Sequence, residues 1–258
     1  MSRALALVAI AALLSACGGG GDGGGTTAPA PSGQVAATFT VDSAHTGVAY
    51  AVTVYTPPGY AATTVPKAVI YALDHELQYT VVRDTAESLA LDAIIVSVGN
   101  AGAARRFIDF DLPGAEAYQR FLTLELVPRV ESQFRVDGTR RALVGYSLSG
   151  LAAMIVLLRE EPSSRFFARY VMTDPSMQFH TNELLAAEQR LWARTHELPV
   201  TVQHCSTSGA QPFDTLARQI EARGYGALGY RFQVYPVSHA AVLGPCVSDG
   251  LRYVFGRG

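Results

Sequence analysis

The amino-acid sequence predicts an α/β fold, a mostly parallel central sheet with helices on both faces, and three observations carry that expectation. KAVIYAL (67–73) and DAIIVSV (92–98) are short, unbroken apolar runs bounded by polar residues, the pattern of strands buried on both faces. Segments with helical spacing separate these runs from further strands, and a strand–helix alternation needs crossovers that leave neighbouring strands parallel. The chain has 258 residues, of which 49% are hydrophobic and 16% charged, a composition that builds one large core rather than a disordered chain.

Taken in order, VAATFTV (35–41) and GVAYAVTVYTP (47–57) read as an antiparallel pair joined by a turn near Ser43 to Gly47. After strand 67–73, TVVRDTAESLAL (80–91) has helical spacing and leads into strand 92–98. AEAYQRFLTLELVPRVESQF (115–134) places Tyr118, Phe121, Leu122, Leu124, Leu126 and Val127 on a broad apolar face, with Pro128 set to kink or restart the helix. RRALVGY (140–146) is a strand, SGLAAMIVLLRE (149–160) a helix, RYVMTD (169–174) a strand and NELLAAEQRLWART (182–195) a helix. LPVTVQHC (198–205) is a strand, and DTLARQIEARG (214–224) a helix with Asp214 placed to cap it and Gly224 to end it. YRFQVYPV (230–237) is the last strand and AVLGPCVSDGLRYVF (241–255) the last helix. The expected domain runs from 34 to 258.

The first residues, MSRALALVAIAALLSAC, have one early cation at Arg3 and an apolar run too short to span a bilayer, the pattern of a signal peptide over residues 1–16. The ending Leu-Ser-Ala-Cys resembles a bacterial lipobox, which implies cleavage before Cys17 and lipidation there. An ordinary secretory signal with an incidental cysteine is the alternative. The Gly/Pro-rich stretch 17–33 cannot bury a core and is expected to tether the body to a membrane. Gly18 after the cysteine, by the same resemblance, favours the outer membrane, with the body on its periplasmic or cell-surface face. Cys205 and Cys246 then remain in an oxidising compartment, where one disulfide is the simple accounting and two separate buried thiols the alternative. The formal charge of −2, without a Lys/Arg cluster, speaks against a nucleic-acid partner. No metal-ligand spacing occurs, and adjacent His204 and Cys205 are too few for a metal site.

GYSLSG (145–150) falls between a predicted strand and a predicted helix. A serine hydroxyl becomes a good nucleophile when a base takes its proton and nearby N–H groups stabilise the oxyanion. A sharp strand-to-helix turn meets both needs by projecting the side chain from the sheet's carboxyl edge beside the free N–H groups of a helix. Ser147 is therefore the expected nucleophile and Leu148 N–H the first oxyanion donor. Gly145 stands two before the serine, but Ser149 occupies the position two after it where G-x-S-x-G has glycine, and Gly150 follows. Ser149 is expected to be a small packing residue.

These pieces together resemble the putative esterase family of α/β-hydrolases, which includes siderophore esterases, S-formylglutathione hydrolases and mycolyltransferases. VIYALDHE resembles the family's strand ending in Leu-Asp-Gly, RRFIDF (105–110) its Arg-x-x-Asp segment, and FLTLELVPRVESQFRVDGTRRALVGYSLSGLAA its helix, strand and nucleophile turn. RYVMTDPSMQF resembles its Ser-Pro-Ser segment, with Asp174 for the first serine, and YPVSHAAV the segment carrying its histidine. The resemblance implies an α/β-hydrolase fold, His239 as general base, and a second oxyanion donor from the backbone near His75 or Glu76. His75 stands at the family's glycine and could instead contact substrate or be a solvated loop residue. Arg106 and Asp109 would shape the pocket mouth or form a surface ion pair.

An acid that orients the histidine is expected after the strand ending near Cys205, where Asp214 is the first carboxylate, although capping its helix is an equally good role for it. Asp174 is the fallback, and a Ser-His dyad without an acid is the pattern that siderophore-esterase relatives resemble. The expected function is a lipid-anchored serine hydrolase that cleaves small-molecule carboxylic esters through an acyl-enzyme, with siderophore-type lactones as one substrate and no cofactor. An acyltransferase on the same fold, and a binding lipoprotein that has lost catalysis, are the rival expectations.

Overall fold

Strands β1 (Gln34–Asp42), β2 (Ala49–Thr56), β3 (Lys67–Leu73), β4 (Ala93–Val98), β5 (Val136–Tyr146), β6 (Arg169–Thr173), β7 (Thr201–Ser206) and β8 (Gly229–Val234) form a single sheet in the computed structural model. Their order is β1-β2-β4-β3-β5-β6-β7-β8. The β1–β2 and β2–β4 pairs are antiparallel, and every pairing from β4 to β8 is parallel. This is the α/β-hydrolase arrangement. The structure describes residues 32–208 and 213–256; the expected signal peptide, Cys17 and the tether through residue 31 lie outside the described residues. Gly33, assigned to the end of the tether, packs on Tyr55 and Thr56 and donates its N–H to Glu87 at 3.1 Å.

The β1–β2 hairpin turns where expected, with Gly47 at φ 72° and its N–H bonded to the Ser43 carbonyl at 2.9 Å. Helices α1 (His75–Ser88) and α8 (Leu243–Val254) cover one face of the sheet. Alternation along the strands decides what they meet: Ile70, Ala72, Ile95, Val144 and Val171 point to them. The neighbouring positions Val69, Tyr71, Leu73, Leu143 and Met172 point to the other face. There they pack with α5 (Leu148–Arg159), which contributes Leu151, Met154 and Ile155, and with Leu184 and Leu191 of α6 (Thr181–Arg194). Leu216 and Ile220 of α7 (Phe213–Arg223) complete that layer. α5 is apolar through nearly its whole length, as a helix buried between sheet and helices must be.

The long apolar helix expected over 115–134 is divided. α3 (Gly114–Arg120) passes into a π-helical stretch, Phe121–Leu126, and then α4 (Val127–Glu131). Pro128 has no N–H to give the preceding turn, which accounts for the wider winding before it. α1 starts five residues earlier than its apolar spacing indicated, because Asp74 takes a left-handed turn (φ 63°) that ends β3 and opens the helix at once. A short helix, α2 (Ala103–Asp109), carries the Arg-x-x-Asp segment.

Candidate active site

β5 runs Leu143-Val144-Gly145-Tyr146 into Ser147, whose backbone sits at φ 59°, ψ −120° before α5 begins. Such a conformation costs a side-chain-bearing residue about 1–3 kcal/mol and persists only where the surroundings impose it. Here the Ser147 N–H donates to the Thr173 carbonyl at 3.0 Å, and its own carbonyl accepts from Leu151 N–H at 3.0 Å and Ser176 N–H at 3.1 Å. A Cβ at Gly145 would run into the Ser149 carbonyl, so glycine is required there. The second close approach falls at Gly150, where a Cβ would lie 3.1 Å from Pro175 Cα. Ser149, fully buried, uses its hydroxyl to accept from Tyr146 N–H and donate to Tyr146 O, both at 2.9 Å.

Parallel pairing sets Tyr146 beside Thr173 and Thr173 beside Cys205, so the residues that follow β5 and β6, Ser147 and Asp174, emerge side by side at the carboxyl edge. Asp174 is 5% exposed, with φ 42° and its N–H bonded to the Cys205 carbonyl at 2.9 Å. Thr207 supplies two donors to its carboxylate, the N–H to Oδ1 at 2.9 Å and the hydroxyl to Oδ2 at 3.0 Å. Oδ2 also meets His239 Nδ1 at 2.6 Å. That contact leaves Nε2 as the nitrogen available for proton transfer. The imidazole side chain is 50% exposed on a loop after β8. Its ring stacks on Tyr146 at 4.8 Å and 25°, and Tyr146 Oη–H donates to the His239 carbonyl at 3.0 Å. Burial, reinforced by the Asp174 charge, raises the Tyr146 phenol above its ordinary value.

Ser147, Asp174 and His239 line one cavity of about 320 Å³, together with Leu148 at the first turn of α5. The Ser147 hydroxyl lies 3.3 Å from the hydroxyl of Ser176, which lines the same space. Arg106, Phe107, Gln178 and Phe179 form the rest of the wall, and Phe107 and Phe179 are 60% and 58% exposed at its rim.

Asp214 does not take part in this arrangement. It stands in the first turn of α7 with its carboxylate held by Arg218 one turn on, at 2.6 Å, and the carboxylate on the histidine is that of Asp174. The carboxylate on the histidine comes from the end of the strand next to that of Ser147, one strand earlier than expected. Arg106 and Asp109 do not pair with each other either. Arg106 Nε bonds the fully buried Asp74 at 2.6 Å, while Asp109 takes Arg105 at 2.6 Å and the Tyr50 hydroxyl at 2.7 Å. His75 and Glu76 open α1, at the end of the strand beside β5. The His75 ring stacks on Tyr79 and meets Ser97 Oγ at 3.0 Å, and Glu76 accepts from Asn100 N–H at 3.3 Å, so both side chains are engaged outside the lining of the Ser147 cavity.

Cys205 and Cys246 are joined in a buried disulfide that ties β7 to α8. His204 is a core residue: burial pushes its imidazole down to about 3, with Nδ1 on the Tyr230 hydroxyl at 2.7 Å. Ser176 and Tyr146 were not singled out by the sequence. The signal for Tyr146 is its place next to Ser147, and for Ser176 its place in the Asp-Pro-Ser segment after β6.

A family model described as putative esterase matches residues 43–213, a span that holds Ser147 and Asp174 and ends before β8 and His239. The ferri-bacillibactin esterase BesA of Bacillus subtilis (strain 168) is 33% identical over 67 residues, 26% of this chain, and the match spans only 22% of that relative. An IroE-like serine hydrolase from Shewanella oneidensis has a TM-score of 0.73 at 22% identity, over 85% of this chain and 80% of that one. The siderophore hydrolase EstB from Aspergillus nidulans has a TM-score of 0.72 at 18% identity, over 88% and 96% of the two chains. For the BES protein from Bacillus cereus the score is 0.71 at 23% identity, over 84% and 94%. At these identities the structural likeness is one of fold.

Proposed function

Because the chain belongs to the putative esterase family, we propose that it is a serine hydrolase that cleaves carboxylic esters through an acyl-enzyme, with Ser147 as nucleophile, His239 as base and Asp174 as the orienting acid. The observation that carries this reading is the Asp174–His239 bond of 2.6 Å opening on the same cavity as the strained turn at Ser147. His239 Nε2 takes the Ser147 proton as Oγ attacks the ester carbonyl, and returns it to the departing alcohol. Water, deprotonated by the same nitrogen, then attacks the acyl carbonyl, and the acid leaves as Nε2 returns the proton to Ser147 Oγ. Asp174 fixes the tautomer with Nδ1 protonated and stabilises the imidazolium formed at each step. Leu148 N–H, the first of α5, is the first donor to the oxyanion, and the opening N–H groups of α1 at His75 and Glu76 are the candidates for the second.

Siderophore-type lactones are the first substrates to try, given the named activities of the relatives. The body is placed on the periplasmic or outer face of an outer membrane by a lipid on Cys17, a reading that the buried disulfide supports through its need for an oxidising compartment. Incorporation of labelled palmitate that disappears in Cys17→Ala tests the anchor.

A fluorophosphonate probe tests the chemistry. Labelling of the folded protein that is abolished in Ser147→Ala supports a serine hydrolase, and no labelling of folded, oxidised protein would refute it. Hydrolysis products measured with and without an added alcohol separate hydrolysis from acyl transfer.

A further inference from the structure

The histidine loop is open to solvent. Pro236, Ser238, Ala240 and Ala241 are exposed with His239, and Val237 is 41% exposed. An imidazole on such a loop samples many orientations unless something besides the carboxylate holds it, and misplacement of a base by a fraction of an ångström lowers the rate of proton transfer. Asp174 grips one ring nitrogen only. The ring plane and the backbone beneath it are both held by Tyr146, through the stack at 4.8 Å and the hydrogen bond from its hydroxyl to the His239 carbonyl at 3.0 Å.

Tyr146 is itself packed and hydrogen-bonded in place. It is 8% exposed, its backbone is the last residue of β5, and both its N–H and its C=O are held by the Ser149 hydroxyl. The serine that stands where G-x-S-x-G has glycine thus fixes the peptide that presents the tyrosine. We propose that Tyr146 is the positioning residue for the general base, with Ser149 as its anchor, so that the turn that strains the nucleophile also aims the histidine. This inference rests on the serine-hydrolase reading above. It adds a residue that touches neither substrate nor Ser147 Oγ in its role and acts through His239.

The stacked ring has a second effect. The π face of a tyrosine favours a cation, so it favours the imidazolium that forms as the base takes the serine proton. The other charged and titratable groups around the imidazole are Asp174 at Nδ1 and Arg106 in the wall of the same cavity.

The test is steady-state hydrolysis of a soluble aryl ester across pH by wild type, Tyr146→Phe and Tyr146→Leu, with melting curves for each. Tyr146→Phe keeps the ring and loses the hydroxyl. We expect kcat to fall roughly 3- to 10-fold with KM within about 2-fold. Tyr146→Leu loses both contacts, and kcat should fall about 30-fold or more with KM again within about 2-fold, since the imidazolium has lost its aromatic neighbour and its loop its anchor. Ser149→Gly should lower kcat in the same direction but less. A role confined to stability would lower the melting temperature and leave kcat in place. Folded Tyr146→Leu with wild-type kcat would overturn the proposal; should that variant not fold, Tyr146→Phe with wild-type kcat would do so. If wild type is inactive and unlabelled by fluorophosphonate, both readings fall, whereas an active wild type with indifferent Tyr146 variants removes this one alone.

Discussion

The two sides of the site are built in opposite ways. Ser147 and Asp174 leave adjacent strands in left-handed backbone turns, with their N–H groups bonded to the next strand over, at Thr173 and Cys205. His239 sits on an exposed loop with a half-exposed ring. Strain can be stored only where many bonds oppose it, so the proposed nucleophile and acid occupy the sheet edge. The proposed base, which would accept and return a proton, is held by a few side-chain contacts from that edge. The geometry of the sheet therefore supplies precision for both sides.

The largest effect that can be aimed at this contrast is on the rigid side. Ser147→Ala should abolish fluorophosphonate labelling and leave ester turnover at or near background, with the melting temperature held or raised as alanine removes no buried contact of consequence. Asp174→Asn comes next: an amide cannot stabilise the imidazolium, and kcat should fall about 10²- to 10⁴-fold. Measured beside it, Asp214→Asn should keep wild-type kcat, because that carboxylate faces Arg218 on its own helix. Equal losses in the two variants would show that the acid has been assigned to the wrong strand.

The third intervention joins the two sides. Cys205→Ala with Cys246→Ala removes the link between β7, whose Cys205 carbonyl holds the Asp174 N–H, and the helix that follows the His239 loop. Stability should fall by about 2–5 kcal/mol in a urea titration, and kcat should fall more than KM rises. A smaller effect concerns His204. Burial holds it neutral down to about 3, while in the unfolded chain it titrates near 6.5. Between those values the unfolded chain binds the extra proton. Its contribution is therefore complete above pH 6.5 and declines on acidification through the window. His204→Gln should flatten the slope of stability against pH there, as read by urea midpoints at pH 4 to 7.

Much of the fold was legible because burial writes itself into composition. Runs such as 67–73 and 92–98 are apolar at every position because both faces are covered, and β3 and β4 stand there. The turn at Ser147 was legible because a glycine at 145 and a serine at 147 between strand and helix answer a steric demand that few other sequences meet. The carboxylate on the histidine was misassigned for a physical reason. Which strand end lies nearest the histidine loop depends on sheet order and register, and a chain read linearly gives only the sequence of strands. Asp174 carried the relevant local signal, a carboxylate directly after a buried strand, but Asp214 also sits after a strand and the choice between them needed the pairings β5–β6–β7. The helix α2 and the early start of α1 were missed because turns at Gly102 and Asp74, rather than apolar spacing, begin them.

The bridge between Cys205 and Cys246 also decides how the molecule meets a protease. Its two ends are 41 positions apart and enclose β8 and the histidine loop in one covalent ring. A single nick anywhere inside that ring produces two polypeptides that still travel together, so His239 cannot diffuse away from Ser147 unless a reductant opens the bridge as well.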